Sequence, residues 1–279
     1  MIIRCYGARG SIPVSGDEYR KYGGDTTCIE IRTENDEIII IDAGSGIRRL
    51  GNRLLEEERF HVYLLFTHSH WDHILGFPFF RPIYDERTRV HLIGCPLAQG
   101  DIIKLIARSM SAPYFPFMFD DLRSEIVYSP ECRERYEIDS VTITPINLSH
   151  PNSGSGFKFV ENDKTFVFLT DNELGHVHRG GRSPEEYAAF SKTADLLIHD
   201  AEYTTKQYLK TRSWGHSTYI DALKLAINAD ARQFGLFHHN QDRTDDDQDQ
   251  IVYACREILE SKHVEMDCFA LTQHTEIIL

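Results

Sequence analysis

The chain has 279 residues, 41% of them hydrophobic and 26% charged, the balance of an ordinary globular protein. That balance excludes a collagen, a disordered tail and a disulfide-stapled miniprotein, and no apolar run reaches the roughly 20 residues that span a bilayer. Thirty basic against 43 acidic residues give a net charge of −13, a surface that repels polyanions on average and argues against broad nucleic-acid binding.

Short segments rich in Ile, Val and Phe and bounded by turn residues predict strands at 2–6, 28–33, 37–42, 61–67 and 89–94. Further strands are expected at 141–148, 156–161, 165–170, 195–199, 233–237 and 267–278. Helical spacing links Ile47, Leu50 and Leu54, and again Ile220, Leu223 and Ile227. Ser183-Pro184-Glu185-Glu186 reads as a capping box with proline at the first helical position. Residues 245–262 open with acidic side chains, which complement a helix dipole, so Asp245-Asp246-Asp247 is expected to be a solvated helix start. Strands and helices mixed along the chain predict an α/β fold. No linker marks a boundary, so one domain over 1–279 is expected, with the proline-rich stretch 77–135 as an insertion over one end of the core. The six cysteines form no C-x-x-C pair, and the N-terminus lacks an apolar core with a cleavage site. Reduced, mostly buried thiols in a cytoplasmic protein are the expectation.

The histidines are more informative. The strand HVYLLF runs into Thr67-His68-Ser69-His70-Trp71-Asp72-His73, an H-x-H-x-D-H segment. Imidazole and carboxylate side chains bind borderline divalent metals, and two groups facing opposite ways from a tight turn suit two adjacent metals better than one. Other apolar runs stop at ligand-type residues: Ser149-His150-Pro151, Asp171-Asn172-Glu173 and His238-His239-Asn240. Strand ends of this kind converge on one rim of a sheet in α/β folds.

In this order the segments resemble the metallo-β-lactamase fold, on the branch of ribonuclease Z and cyclic phosphodiesterases. Gly7-Ala8-Arg9-Gly10-Ser11, Tyr22-Gly23-Gly24-Asp25-Thr26 and Asp42-Ala43-Gly44-Ser45-Gly46 are similar to that branch's early motifs, with Asp25 where asparagine is usual. The resemblance covers nearly the whole chain. It implies an αββα sandwich of two mixed sheets with flanking helices. It implies that His68, His70 and His150 bind a first metal, that Asp72, His73 and His238 bind a second, and that Asp171 bridges them. His238 is preferred to His239 because it directly follows its strand; His239 would then contact substrate. Asp42 would support the metal loop from behind. Zinc is the default occupant of such sites, with manganese or iron as alternatives.

Ile198-His199-Asp200-Ala201-Glu202-Tyr203 and Gly215-His216-Ser217-Thr218 resemble paired motifs of the ribonuclease Z-like phosphodiesterases, in which an acidic residue orients a histidine. Here Asp200 would hold His216. A carboxylate-fixed imidazole is also what a phosphodiester's leaving oxygen needs. The alternative is that Asp200 and Ser217-Thr218 cap a helix. The expected catalytic residues are Asp72, Asp200 and His216. Ribonuclease Z carries a tRNA-gripping arm, commonly between the ligands that match His150 and Asp171, and residues 151–170 leave no room for it. A small phosphodiester such as a cyclic nucleotide is therefore expected, with tRNA disfavoured. A tRNA 3′-processing activity, an acyl (thioester or lactone) hydrolase, a di-iron redox protein and a catalytically silent nucleotide sensor are the rival readings. Arg9, Tyr114, Phe115, Phe117 and Arg179 are candidate substrate contacts, with core packing or a subunit interface as the equal alternative for Tyr114-Phe115-Pro116-Phe117; His176 and His178 are expected in a surface loop, and a homodimer is implied by the resemblance.

Overall fold

The computed structural model describes residues 1–95 and 101–279. The isoleucine run of 38–41 shows how the layers arise. Ile39 and Ile41 face one apolar cluster and Ile38 and Ile40 another, all four with no exposed surface. A strand apolar on both faces must be covered on both.

The first sheet contains β1 (Ile2–Gly7), β2 (Cys28–Arg32), β3 (Ile38–Ile41), β4 (His61–Leu65), β5 (Arg89–Ile93), β6 (Glu125–Ser129) and β14 (Glu276–Ile278), in the order β14-β1-β2-β3-β4-β5-β6. The second contains β7 (Tyr136–Ile138), β8 (Val141–Asn147), β9 (Ser155–Glu161), β10 (Lys164–Leu169), β11 (Leu196–Asp200), β12 (Gln233–Phe237) and β13 (Asp267–Ala270), in the order β13-β12-β11-β10-β9-β8-β7. Strands β3 to β6 run parallel, as do β10 to β13, and the remaining pairs are antiparallel. Both sheets are therefore mixed.

Helices α1 (Ile47–Glu56), α2 (Trp71–Ile74) and α3 (Ile102–Ser109) accompany the first sheet. Helices α4 (Pro184–Phe190), α6 (Tyr219–Ala229) and α7 (Asp245–Ser261) cover the second, and the short α5 (Thr205–Thr211) leads toward the site. Ile198, Phe166 and Phe168 pack between the sheets, whereas Val167 and Leu169 pack under the helices. The result is the expected αββα sandwich. Phe168 is fully buried and meets Phe237 edge-on at 5.2 Å. Phe168→Ala is expected to cost about 3–5 kcal/mol, read as a lower midpoint in urea unfolding with an unchanged slope.

Several expectations change. Residues 77–135 supply β5 and β6 to the first sheet, so this stretch extends the core layer and is not simply laid over its end. The segment 267–278 is not one strand: β13 closes the second sheet, Thr272 to Thr275 turn, and β14 pairs with β1 in the first. Helix α6 buries Ala222, Leu223, Leu225, Ala226 and Ala229 with Ile227 partly buried against the same cluster, so its stripe includes Leu223 and Ile227 and lies off Ile220. Its cap is Thr218, whose hydroxyl accepts from Asp221 N at 3.0 Å; Ser217 donates instead to Asn172 O. The thiols are not all reduced: Cys95 and Cys132 form a disulfide, while Cys5, Cys28, Cys255 and Cys268 are free and buried. The acidic run does open α7, under the Thr244 cap, and Asp249 also pairs with Lys21. No helix among the described residues is long and apolar enough to cross a membrane.

Candidate metal centre

Six strands end at one rim of the sandwich in polar side chains. Asp42 follows β3, Thr67 to His73 follow β4 into α2, His150 follows β8, Asp171 follows β10, Asp200 ends β11, and His238 follows β12. Asp42, Asp171 and His238 adopt left-handed backbone conformations, with φ of 62°, 51° and 56°. That conformation is costly for a residue with a Cβ, on the order of 1 kcal/mol, and tends to persist where function fixes the geometry. It lets a strand stop abruptly with its last side chain on the rim.

The side chains gather into two groups that share Asp171. His68, His70, His150 and Asp171 form one, and Asp72, His73, Asp171 and His238 the other, with ligand-type atoms within 4.8 Å of one another in each. The Asp171 carboxylate lies 3.5 Å from His68 Nε2, 3.3 Å from His73 Nε2 and 3.4 Å from His238 Nε2. His150 Nε2 and His70 Nδ1 are 3.1 Å apart. Asp72 Oδ2 lies 3.2 Å from His238 Nε2 and accepts from Ser11 N at 2.8 Å.

The outward nitrogens set the ring orientations. His73 Nδ1 donates to Asp42 at 2.7 Å, His150 Nδ1 to Gly215 O at 3.0 Å, and His238 Nδ1 to Glu202 at 3.0 Å. Each pairing leaves the Nε2 lone pair facing the groups' centre, the usual arrangement of metal-binding histidines. His68 Nε2 and His73 Nε2 are buried with no hydrogen-bond partner, an arrangement that costs free energy unless a cation fills it. Buried imidazoles and two carboxylates around orphaned nitrogens are a fitting donor set for divalent ions. Burial alone would raise the Asp72 and Asp171 carboxyls, but the surrounding imidazoles hold both well below the usual carboxylate range. Burial pushes His68 well down, and His150 down to about 3. Both are thus neutral, the form that can ligate.

Asp200 Oδ2 receives His216 Nδ1 at 2.8 Å, and Glu202 Oε2 lies 3.4 Å from the same nitrogen. His216 also stacks on His238 at 4.6 Å, and its Nδ1 is 3.9 Å from Asp171. Burial opposes its protonation, yet Glu202 and Asp200 lift its pKa to about 9. The expected pairing of Asp200 with His216 is present, one ring away from the second group.

Six expected substrate contacts do not join this cluster. Arg9 is 1% exposed, and its guanidinium donates to the carbonyls of Gly23, Asn240 and Arg243, because it ties the N-terminal loop to the segment after β12. His239 is fully buried and turned away from the cluster, with Nε2 donating to Leu271 O at 2.8 Å. Of the two adjacent histidines, His238 therefore reaches the rim. Phe115 packs edge-on to Phe79 at 5.7 Å beside the first sheet's outer core, and Tyr114 is exposed. Neither shares a hydrogen bond or ring contact with a cluster residue among the described residues. Phe117 meets Tyr84 and Phe115 at tilted angles with ring centres 6.1 and 6.4 Å away, and Arg179 is exposed. Asp25 accepts from Ser45 Oγ at 2.8 Å and lies 3.7 Å from Arg49, away from the cluster.

Two buried carboxylates were not singled out from the sequence. Glu202 bridges His238, His216 and Asn240. Its only signal was its place two residues after Asp200. Glu173 accepts from Tyr208, His178, Ser213 N and Gly215 N at 2.6–2.8 Å, fastening the loop that carries His216. The His176–His178 loop is thereby pinned to the site's edge, and Ser149 holds it as well through His176 O and His178 N.

Residues 37–239 match the family described as the Beta-lactamase superfamily domain. Ribonuclease Z of Sulfolobus acidocaldarius is 27% identical over 75% of this chain and 80% of its own length. Ribonuclease Z of Haloarcula marismortui is 25% identical over 85% of this chain and 86% of its own. Among solved structures, the metallo-β-lactamase fold protein YhfI from Bacillus subtilis superposes with a TM-score of 0.72 at 16% identity, covering 99% of this chain and 98% of that one. The short form of human tRNase Z gives 0.67 at 18%, covering 100% and 99%. These relatives weigh against the expectation that disfavours tRNA. The chain belongs to the β-lactamase superfamily, with the metallo-β-lactamase fold on its ribonuclease Z-like branch, and is a metal-dependent hydrolase with a dinuclear centre.

Proposed function

We propose that this hydrolase is a phosphodiesterase whose first substrate class is a small phosphodiester such as a cyclic nucleotide. The observation that carries the reading is the Asp200–His216 pair set beside the shared Asp171. Acyl transfer at such a site has no need of that pair, whereas a diester's leaving oxygen needs a proton.

His68, His70 and His150 would hold one divalent ion, Asp72, His73 and His238 the second, and Asp171 both. Zinc suits this imidazole-rich set best, with manganese or iron as the other occupants. When bound, such a pair neutralises the nonbridging phosphate oxygens and lowers the pKa of an attacking water. The chain's own residues do the rest. Asp42, Gly215 O and Glu202 keep His73, His150 and His238 in the ligating tautomer. The Ser11 backbone amide fixes Asp72. His216, protonated under the influence of Glu202 and Asp200, stands ready to donate to the departing oxygen.

Substrate size follows from the chain between His150 and Asp171. It is spent on the β9–β10 hairpin, whose turn is Asn162-Asp163, so no long arm projects there. The charge of −13 favours the same reading. Cleavage of RNA is the second reading, and the ribonuclease Z relatives favour it. A turnover panel separates the two: bis(p-nitrophenyl) phosphate, cyclic AMP, cyclic GMP and a tRNA bearing a 3′ trailer. Hydrolysis of the small diesters by the metal-loaded protein supports the first reading. Trailer removal without them establishes the second.

Glu202→Gln keeps the size of the side chain and removes its charge. Removing an outer carboxylate partner of a ligating histidine typically weakens metal affinity or activity by about 10–100-fold. Zinc retention against a competing chelator is expected to fall by that factor, while the urea unfolding midpoint of the metal-free protein moves little.

A further inference from the structure

The sequence contains two tryptophans, Trp71 and Trp214, and both are exposed, by 80% and 63%. Tryptophan is highly buried on average, and its ring is enriched at interfaces where one side is apolar and the other wet. Their positions share one feature. Trp71 sits between His70 and Asp72, at the first position of α2. Trp214 directly precedes Gly215, whose carbonyl holds His150. His150 in turn lies 3.1 Å from His70. The two tryptophans therefore stand next in the chain to residues of the His68–His70–His150 group, on two different loops.

Neither indole has a hydrogen bond or ring partner among the described residues, yet both backbones are fixed. The Trp71 carbonyl accepts from Leu75 N at 2.7 Å, and His73 N bonds His70 O at 3.0 Å. On the other side, Glu173 accepts from Ser213 N and Gly215 N, on either side of Trp214. A Cβ at Gly215 would lie 2.0 Å from His150 Nδ1, and its φ of +102° excludes most other residues, so this loop has little freedom. Two exposed indoles on fixed backbones, each next in the chain to residues of the metal-binding cluster, are suited to stacking a flat ligand group. Every nucleobase offers such a face.

We propose that Trp71 and Trp214 form a two-sided stacking platform that selects phosphodiesters carrying a nucleobase. This rests on the phosphodiesterase reading and narrows it: the base is gripped by the indoles while the phosphate meets the metal-binding side chains. The ligand chemistry is a base next to a phosphodiester, which a cyclic nucleotide and the 3′ region of an RNA both provide.

The chain supplies its own probe, because all tryptophan emission comes from these two sites. Intrinsic fluorescence of the metal-loaded protein is titrated with adenosine 5′-monophosphate, which is not a diester and is not turned over by this activity. Diethyl phosphate, which has no ring, is the control, with free N-acetyltryptophanamide correcting for absorption. The titration is repeated on Trp71→Phe and Trp214→Phe, each leaving one emitter, and on Trp71→Ala and Trp214→Ala. Saturable quenching by the nucleotide in both Phe variants, and none by diethyl phosphate, is expected. Each Ala variant is expected to bind the nucleotide about 5- to 100-fold more weakly, while the Phe variants stay near the parent, with metal content unchanged throughout. Cyclic AMP and a short single-stranded oligoribonucleotide, run as further ligands, tell the two sources apart by which binds more tightly. Quenching of only one indole, or of neither, overturns the platform. So does emission that varies with protein concentration and not with nucleotide, which would make the indoles a contact between copies. Diester hydrolysis without quenching sinks this proposal and leaves the phosphodiesterase reading standing. Quenching without hydrolysis of any diester does the reverse.

Discussion

Asp171→Asn is expected to abolish diester hydrolysis and to drop bound metal well below two ions per chain. The carboxylate lies within 3.3–3.5 Å of three imidazole nitrogens drawn from both ligand groups. An amide of the same shape keeps one acceptor oxygen and loses the charge, so neither group retains its full donor set. The loss is expected to exceed the roughly 10–100-fold that removal of an outer partner causes. The control is structural. Asp171 accepts from Thr170 Oγ1 at 2.6 Å within a buried turn, and an amide oxygen can still accept there. Elemental analysis and far-ultraviolet circular dichroism on one preparation check the claim: native secondary structure with lost metal is the expected pair of results. Two metals retained in the variant would mean that Asp171 is not shared between them.

His216→Ala is expected to keep both metals and lose turnover by about 10²–10⁴-fold, the usual contribution of a positioned general acid. The variant separates binding from proton transfer, because His216 is assigned to neither metal. The pH profile gives a second readout. A group whose pKa is raised acts in its protonated form below that pKa and loses the form above it. Glu202 and Asp200 raise His216 to about 9 against the pull of burial, and divalent cations bound nearby would lower it again. The parent's kcat is therefore expected to fall on an alkaline limb at or below about pH 9. That limb is absent from the residual activity of His216→Ala. Asp200→Asn, which leaves the ring without its closest anion, is expected to move the limb to lower pH. Full activity in His216→Ala, or an unchanged limb, removes the proposed acid.

The site was legible in the sequence because its chemistry sits where strands stop. An apolar run that ends in His150, Asp171 or His238 announces both the strand and the rim, and H-x-H-x-D-H is too dense in ligand-type residues to be an ordinary loop. The layers were legible for a related reason. Ile38 to Ile41 and Phe166 to Leu169 are apolar at every position, which only a strand covered on both faces tolerates. What stayed hidden depends on contacts between segments far apart in the chain. Glu202 and Glu173 look like surface acids until the fold brings His238, His216 and the Ser213–Gly215 backbone onto them. Arg9 carries the charge of a phosphate binder but is consumed by three backbone carbonyls, two of them more than 230 residues away. Cys95 and Cys132 lie 37 residues apart, and no local spacing marks them as a pair. The polar run Thr272-Gln273-His274-Thr275 marks the turn between β13 and β14, but nothing local shows that the two strands close different sheets.

The most direct test of the account is a zinc titration of diester hydrolysis. Metal-free protein at known concentration receives zinc in steps, and the initial rate on bis(p-nitrophenyl) phosphate is read at each. The account predicts a rate that rises to a plateau with a break at two equivalents per chain. A break at one equivalent, or no diester turnover at any zinc level in folded protein, would contradict it.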